Sequence, residues 1–532
     1  MKKRNILICL ASSALLTGAS VTFFEHFGFA VWLGLVPLFF ALKGICETPG
    51  RKYRHAYAYG LFYFECFYAV CFHWFIDLYP LDFAGLDNFS SILVVITGWF
   101  GLSFLQALFG AFTFIIFLAA SRSSIIKRIP CLKLAAYPLI YTFYEFTQTL
   151  GWWGVPWARI PIALTEHSLT VQNAALLGSY FITFTVLFVN SLIFAMLDSL
   201  DEIKKSRIYA AVALSVILFS NFSGGAVLII KKAEQKNSDT VTVGIVQGNY
   251  ESGNKWGVSA TDILYTHLDY IEKCALAGAE TVVLPETALP YILNERPVHV
   301  IKLSEIAEKY GISILVGSLE SDGKSQYNAI FRFNPDGTLE EENYKKRHLV
   351  PFGEYVPMRG FIDTVLPFLS DISMLDDDVT PGTDTAIFDT GSAKIGSIIC
   401  FDSIYEDLSI DSVKDGADLL AISTNDSWFG DSRAAYMHTA QARLRSVELS
   451  RYTVRSANTG LSCSITSTGE IADSLPLLTE GYLVCEVKTI ESRTLYSYIG
   501  NAFVYLCGAL VTVPFLYEAG YLICKKYRKS KL

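Results

Sequence analysis

Charge is scarce in this chain of 532 residues: Asp, Glu, Lys and Arg make up 18% of it, against 52% hydrophobic residues. So low a charged fraction, with a mean hydropathy of +0.36, excludes an ordinary soluble globular protein. Basic excess is missing too. The 43 Lys and Arg are outnumbered by 51 Asp and Glu, which removes the electrostatic ground for nucleic-acid binding. No CxxC pair and no paired histidines occur, so a zinc module is not expected. Neither an internal repeat nor a low-complexity tract is present, which sets aside a repeat architecture.

What is abundant is apolar sequence in long runs. Stretches of spanning length lie at 5–23, 27–45, 56–78, 91–119, 131–148, 172–197, 208–230 and 498–524, long enough to cross a bilayer. They predict eight transmembrane helices: a seven-helix domain over 1–230 and a final helix with a basic tail over 491–532. The run at 131–148 is interrupted by Tyr141, Tyr144 and Glu145. The first run follows MKKR, but its length and the second run close behind it predict a retained helix rather than a cleaved leader. Six or more of the eleven cysteines lie in apolar runs, Cys9, Cys66, Cys71 and Cys507 among them, where they act as small hydrophobes.

Lysine and arginine fall on alternate loops. Clusters precede the first run (Lys2, Lys3, Arg4), follow the second (Arg51, Lys52, Arg54), the fourth (Arg122, Lys127, Arg128, Lys133) and the sixth (Lys204, Lys205, Arg207), and end the chain (Lys525, Lys526, Arg528, Lys529, Lys531). The intervening loops hold one basic residue, Arg159. With eight spans every cluster lies on one side, which predicts cytoplasmic termini and an outward-facing polar block. GWWGVPW at 151–157 suits an outer-interface aromatic belt. Glu65, His73 and Glu145 fall in or beside predicted spans, where interhelical hydrogen bonding is the favoured reading.

The polar block, 241–490 after a linker at 231–240, alternates β-branched runs with helical patterns. Strands are predicted at 241–248, 281–286, 312–320, 393–401, 418–426 and 461–466, with helices at 260–278 and 298–310. Such alternation is that of an α/β domain with its sheet covered or packed on another sheet. It holds Cys274, Cys400, Cys463 and Cys485; a disulfide among the three besides Cys400 stays open. Three chemically useful side chains sit at or near strand ends: Glu286 in LPET, Lys346 in YKKRH and Cys400 in IICFD. Each has a bland reading, namely a helix cap, a solvated charged edge and an inert core thiol. Together, a carboxylate base, a lysine and a thiol form a set suited to covalent acyl transfer.

The order VxLPET, YKKRHLVPFGEYVP, ICFD and STNDSWFG resembles the nitrilase (carbon–nitrogen hydrolase) superfamily, and within it the membrane-embedded apolipoprotein N-acyltransferase family. The resemblance covers nearly the whole chain and implies an αββα sandwich domain between a seventh and an eighth span. It places the catalytic triad on Glu286, Lys346 and Cys400, a further functional glutamate on Glu354, and supporting positions on Trp256, Trp157 and the aromatic pair Trp428–Phe429 of an entrance loop. The backbone N–H near Phe401 would join Lys346 in stabilising an oxyanion. Where the family has glutamate two residues after the nucleophile, this chain has Asp402, which leaves that position's role open.

The activity so implied is ping-pong transfer of a fatty acyl chain, through a cysteine thioester, from a phosphatidylethanolamine-like phospholipid to the N-terminal amine of a diacylglyceryl-cysteine apolipoprotein. No cofactor and no metal is called for, and a monomer in the bacterial inner membrane is expected, with the catalytic domain periplasmic. A membrane-tethered amidase using the same triad is the main alternative. A transporter or receptor with an outer binding domain, and a catalytically dead scaffold, are disfavoured by the lack of broken charged spans and by the complete triad. The segment 358–375, apolar yet carrying Arg359, Asp363 and Asp371, reads either as an interfacial arm or as a loop packed in the domain.

Overall fold

A long apolar run satisfies its own backbone N–H and C=O groups only as a helix, and the apolar runs of this chain do so. The computed structural model describes every residue except 49, 51, 82–84, 152, 167, 252–256, 361–363, 365–377 and 531–532. The chain divides into two units, one of Met1–His73, Ile96–Val227 and Ile499–Leu532, the other of Trp74–Val95 and Leu228–Tyr498. Among the described residues six helices are long and apolar enough to cross a membrane: Lys3–Thr22, Phe24–Glu47, Asn88–Ala120, Ser179–Asp198, Ile203–Asn237 and Ala502–Tyr521. The runs at 56–78 and 131–148 also contain helices, Tyr53–Cys71 and Pro130–Thr147, which tyrosines and charged residues make less apolar. The described cysteines are all free thiols.

Two charged side chains inside the helical unit find partners. Glu145 accepts from the Ile160 backbone N–H at 2.8 Å and from the Thr183 hydroxyl, while Arg159 donates to Ser179 Oγ at 2.6 Å and lies over the Tyr180 ring. The helix Ile203–Asn237 runs on through most of the segment that reads from sequence as a linker. Its good helix formers, KKAEQK, keep it helical, and Lys231 Nζ donates to the Val447 and Ser467 carbonyls at 2.6 and 3.1 Å.

The second unit is built on two sheets. One is ordered β13 (Gly481–Lys488), β1 (Thr240–Gln247), β2 (Thr281–Val283), β4 (Ser313–Ser321), β5 (Gln326–Phe333) and β6 (Tyr344–Lys345), with β3 (Leu289–Ile292) beside β4. The other is ordered β12 (Ile471–Leu475), β11 (Ser462–Ile465), β10 (Tyr452–Ala457), β9 (Leu419–Thr424), β8 (Lys394–Ile399) and β7 (Ile387–Asp389). β1, β2 and β4 run parallel, as do β8, β9 and β10. The period-2 alternation of a strand sends Val241, Val243 and Ile245 of β1 against Ile395, Leu419 and Val454 of the other sheet. Val282, Ile314 and Val316 instead face Ile263, Ile271 and Leu303 on the helices Ala260–Leu276 and Pro297–Tyr310. On the far side Ile398, Leu420 and Ile422 meet Ile410, Val413 and Ala442 of the helices Glu406–Lys414 and Arg433–Leu449. Helix, sheet, sheet, helix: the strands read from sequence belong to an αββα sandwich.

Local signals set the helix ends. Ser259 caps the helix Ala260–Leu276 by accepting from the Asp262 N–H, and the helix Pro297–Tyr310 starts on proline and stops at Gly311 in the left-handed region, φ +62°, as such residues do. The helix Arg433–Leu449 is buried on nearly every side, so it lacks an amphipathic signature, and β5 and β10 likewise carry polar residues into the interior.

Candidate active site

Where β2 ends at Val283, the chain crosses L-P and turns at Glu286, with Thr287 at φ +44°. The turn is seated tightly. A Cβ on Gly317 of the neighbouring β4 would collide with the Pro285 carbonyl and come within 2.9 Å of Glu286 Cα. Glu286 is 6% exposed. Its Oε2 accepts the Asn425 backbone N–H at 2.9 Å, and its Oε1 accepts both Asn328 Nδ2 and Lys346 Nζ at 2.8 Å.

Lys346 follows β6, and its backbone N–H continues the pairing with β5 by donating to the Asn328 carbonyl at 2.8 Å. The side chain is 1% exposed and its Nζ lies 2.8 Å from both Glu286 and Glu354. Burial alone would pull the ammonium down, but the carboxylates of Glu286 and Glu354 outweigh it and hold Lys346 well above the usual lysine range. Glu354 is anchored by the Val350 N–H at 2.8 Å and Asn328 Nδ2 at 2.7 Å. Asn328 thus ties the two carboxylates together through one amide. No motif in the sequence points to Asn328, although asparagine inside a strand is itself unusual.

Cys400 follows β8 and opens a short 3-10 turn, Cys400–Ile404. Its φ is +47°, a left-handed conformation that costs a non-glycine residue about 1–2 kcal/mol. Burial pushes its thiol far up; Glu286 and Asp426 push the same way, and Lys346 opposes them. The resting thiol is therefore protonated at neutral pH. Glu286 and Lys346 are a carboxylate and a cation within electrostatic reach of it.

The remaining expected residues divide. Phe401 packs edge-on to Tyr405 at 5.5 Å. Asp402 is fully buried and accepts from Tyr344 Oη at 2.8 Å and the His348 N–H at 2.7 Å; burial lifts its carboxyl to about 6 despite Lys346 and these donors. It fastens β6 and the 347–348 backbone beside Cys400. Trp428 and Phe429 are half-buried on the loop after β9, with the Phe429 ring edge-on to Trp74 at 5.1 Å. Trp157 is 4% exposed in the helical unit. Trp256 and most of the 358–375 segment lie outside the described residues.

Behind Cys400 is a cluster that no spacing in the sequence reveals. Asp426 accepts from His438 Nδ1 at 2.9 Å and Arg455 Nη2 at 2.7 Å. Burial pushes Asp426 up, but Arg455 and His438 prevail and hold its carboxyl well below the usual range. Cys400, Asp426 and His438 present atoms within 4.8 Å of one another, a spacing that admits a metal ion. The carboxylate is already committed, however, and the Arg455 guanidinium, 3.1 Å from His438 Nδ1, opposes a cation there.

Residues 242–494 match the carbon–nitrogen hydrolase family, and residues 13–192 match the apolipoprotein N-acyltransferase N-terminal domain. The chain is 31% identical over 386 residues to an apolipoprotein N-acyltransferase of Geobacter metallireducens, covering 71% of this chain and 72% of that one. Identity to the Pasteurella multocida protein of that name is 30% over 395 residues, covering 72% and 74%. The Methylococcus capsulatus protein aligns over 96% of both chains at 27% identity.

Proposed function

The chain belongs to the apolipoprotein N-acyltransferase family, and from that premise we propose that Glu286, Lys346 and Cys400 carry acyl transfer from a membrane phospholipid to a lipoprotein amine. The observation that carries this assignment is the buried Lys346 ammonium, shared by Glu286 and Glu354 within electrostatic reach of the Cys400 thiol. The protein is a membrane acyltransferase with a nitrilase-like α/β domain.

Glu286 takes the thiol proton as Cys400 sulfur bonds to the ester carbonyl carbon of the phospholipid. The carbonyl electron pair moves onto oxygen, where Lys346 and the backbone N–H near Phe401 stabilise it. Collapse breaks the ester C–O bond, and the lysophospholipid leaves with the proton held by Glu286. The α-amine of the diacylglyceryl-cysteine acceptor then attacks the thioester, Cys400 departs as thiolate, and the amine's proton returns to it through Glu286. Glu354 keeps Lys346 charged and in place. Trp428 and Phe429 line the entrance, with Trp256 and Trp157 as substrate contacts.

Eight spans complete the scheme, with Tyr53–Cys71 and Pro130–Thr147 joining the six more apolar helices. Their domain limits are 1–230, 241–490 and 491–532, with both termini cytoplasmic and the catalytic domain periplasmic at the inner membrane. The alternation of lysine and arginine clusters supports this orientation. All residues of the proposed triad come from one chain, so a monomer suffices. Phosphatidylethanolamine is the donor to test first.

The test is intact-protein mass spectrometry after incubation with phosphatidylethanolamine and no acceptor. A hydroxylamine-labile acyl adduct on wild type, missing from Cys400→Ala and discharged by a diacylglyceryl-cysteine peptide, is expected. Clearance by water but not by the peptide would point to the amidase alternative. No adduct with any phospholipid would overturn the donor assignment.

A further inference from the structure

The left-handed turn at Cys400 is held from outside the triad. The Cys400 carbonyl accepts two hydrogen bonds, from Ser403 Oγ at 2.7 Å and from His438 Nε2 at 3.2 Å. His438 sits on the buried helix Arg433–Leu449, itself 1% exposed, with its other ring nitrogen 2.9 Å from the fully buried Asp426. Asp426 is fixed in turn by Arg455 Nη2 and by Thr424 Oγ1 at 3.0 Å. The fit is close: a Cβ on Gly460 would collide with Asp426 Oδ2. Nδ1 lies 2.9 Å from Asp426 and 3.1 Å from the Arg455 guanidinium, and Nε2 lies 3.1 Å from Ser403 Oγ, so a bond to the Cys400 carbonyl needs the ring proton on Nε2.

We propose that His438 is a positioning residue: braced by Asp426, it donates from Nε2 to the Cys400 carbonyl and locks the turn that presents the thiol beside Glu286 and Lys346. This rests on the reading of Cys400 as the nucleophile. The same pair joins the nucleophile to the entrance loop. Asp426 precedes Trp428 and Phe429 by two and three residues, its carbonyl accepts the Phe429 N–H at 2.9 Å, and the Phe429 ring stands edge-on to His438 at 6.2 Å. A donor that occupies the entrance and shifts Phe429 therefore acts on the backbone that carries the thiol.

Two substitutions separate positioning from mere packing. Gln places an amide N–H where Nε2 stood, whereas Asn places one where Nδ1 stood. In the full-length purified protein, His438→Asn is expected to slow thioester formation by about 10- to 100-fold with the donor KM unchanged, and His438→Gln to stay within about threefold of wild type. Ser403→Ala, which removes the other donor to the same carbonyl together with a hydroxyl 3.1 Å from His438 Nε2, is expected to slow the same step, again without a change in KM. Iodoacetamide labelling of Cys400, read by peptide mapping, needs no lipid and should rank the variants identically. Equal losses in the Asn and Gln variants, or a change confined to KM, overturn the proposal. A wild type that is labelled but forms no thioester overturns the acyl-transfer reading instead, and the labelling ranks still decide the role of His438.

Discussion

Replacing Lys346 with methionine removes the cation and leaves the volume nearly filled. Glu286 and Glu354, with side chains 7% and 13% exposed, are then left facing each other across the Asn328 amide. Removing one partner from a buried ion pair costs about 3–5 kcal/mol. The loss has a ceiling, because one carboxyl can take up a proton and share it with the other. Placing a proton on an ordinary glutamate at pH 7.5 costs about 4 kcal/mol, and 1.4 kcal/mol less for each unit the pH falls. The two estimates meet, and they add a signature. In wild type the Lys346 ammonium, held well above its ordinary value, contributes its full stabilisation below that ordinary value, so the contribution does not vary between pH 5 and 8. In the variant the shared carboxyl has a raised value, a penalty that fades as the pH falls toward it. Lys346→Met should therefore melt about 6–16 °C below wild type at pH 7.5, with the gap narrowing steadily toward pH 5. Thermal unfolding of both proteins across that range, followed by tryptophan fluorescence, is the assay. A gap that does not depend on pH, or no gap, would refute the electrostatic account of this cluster.

Three further outcomes follow from the same geometry. Cys400→Gly and Cys400→Ala should both abolish the thioester, yet the glycine variant should be the more stable by about 1 kcal/mol; the reverse order in unfolding would deny the left-handed turn. Gly317→Ala should displace Glu286 through the Pro285 carbonyl and slow acylation by about 100-fold, measured as the rate of adduct formation; unchanged kinetics would count against the tight seat of that turn. Asp402, lifted by burial to about 6 from 3.8, costs stability once ionised, a cost absent below 3.8 and complete above about 6. Asp402→Asn should gain up to about 3 kcal/mol relative to wild type between pH 4 and 7; a flat difference across a pH series of unfolding would rule this out.

Much of the scaffold was legible in the residues. Continuous β-branched runs such as TVTVGIV and GSII are long enough for one strand and too apolar for any exposed face, so they require cover on both sides. The segments before Glu286, Lys346 and Cys400 end in such runs or beside them, which predicted functional groups gathered at strand ends. Less legible were β5, β10 and the helix Arg433–Leu449. Their polar side chains are buried against one another, and burial of that kind leaves no periodic trace for a pattern to reveal.

Residue types, their order along the chain and the apolar lengths determined the class of chemistry, the membrane character and the strand-and-helix alternation, because each depends on local sequence alone. Tertiary structure decided the rest. It put Asn328 between two carboxylates that precede and follow it by 42 and 26 residues, and it turned Asp402 back onto Tyr344 and the His348 backbone. It also set His438 behind a cysteine 38 residues away. A hydrogen bond of 2.8 Å between distant segments depends on how two sheets twist and pack, and no stretch of sequence carries that distance by itself.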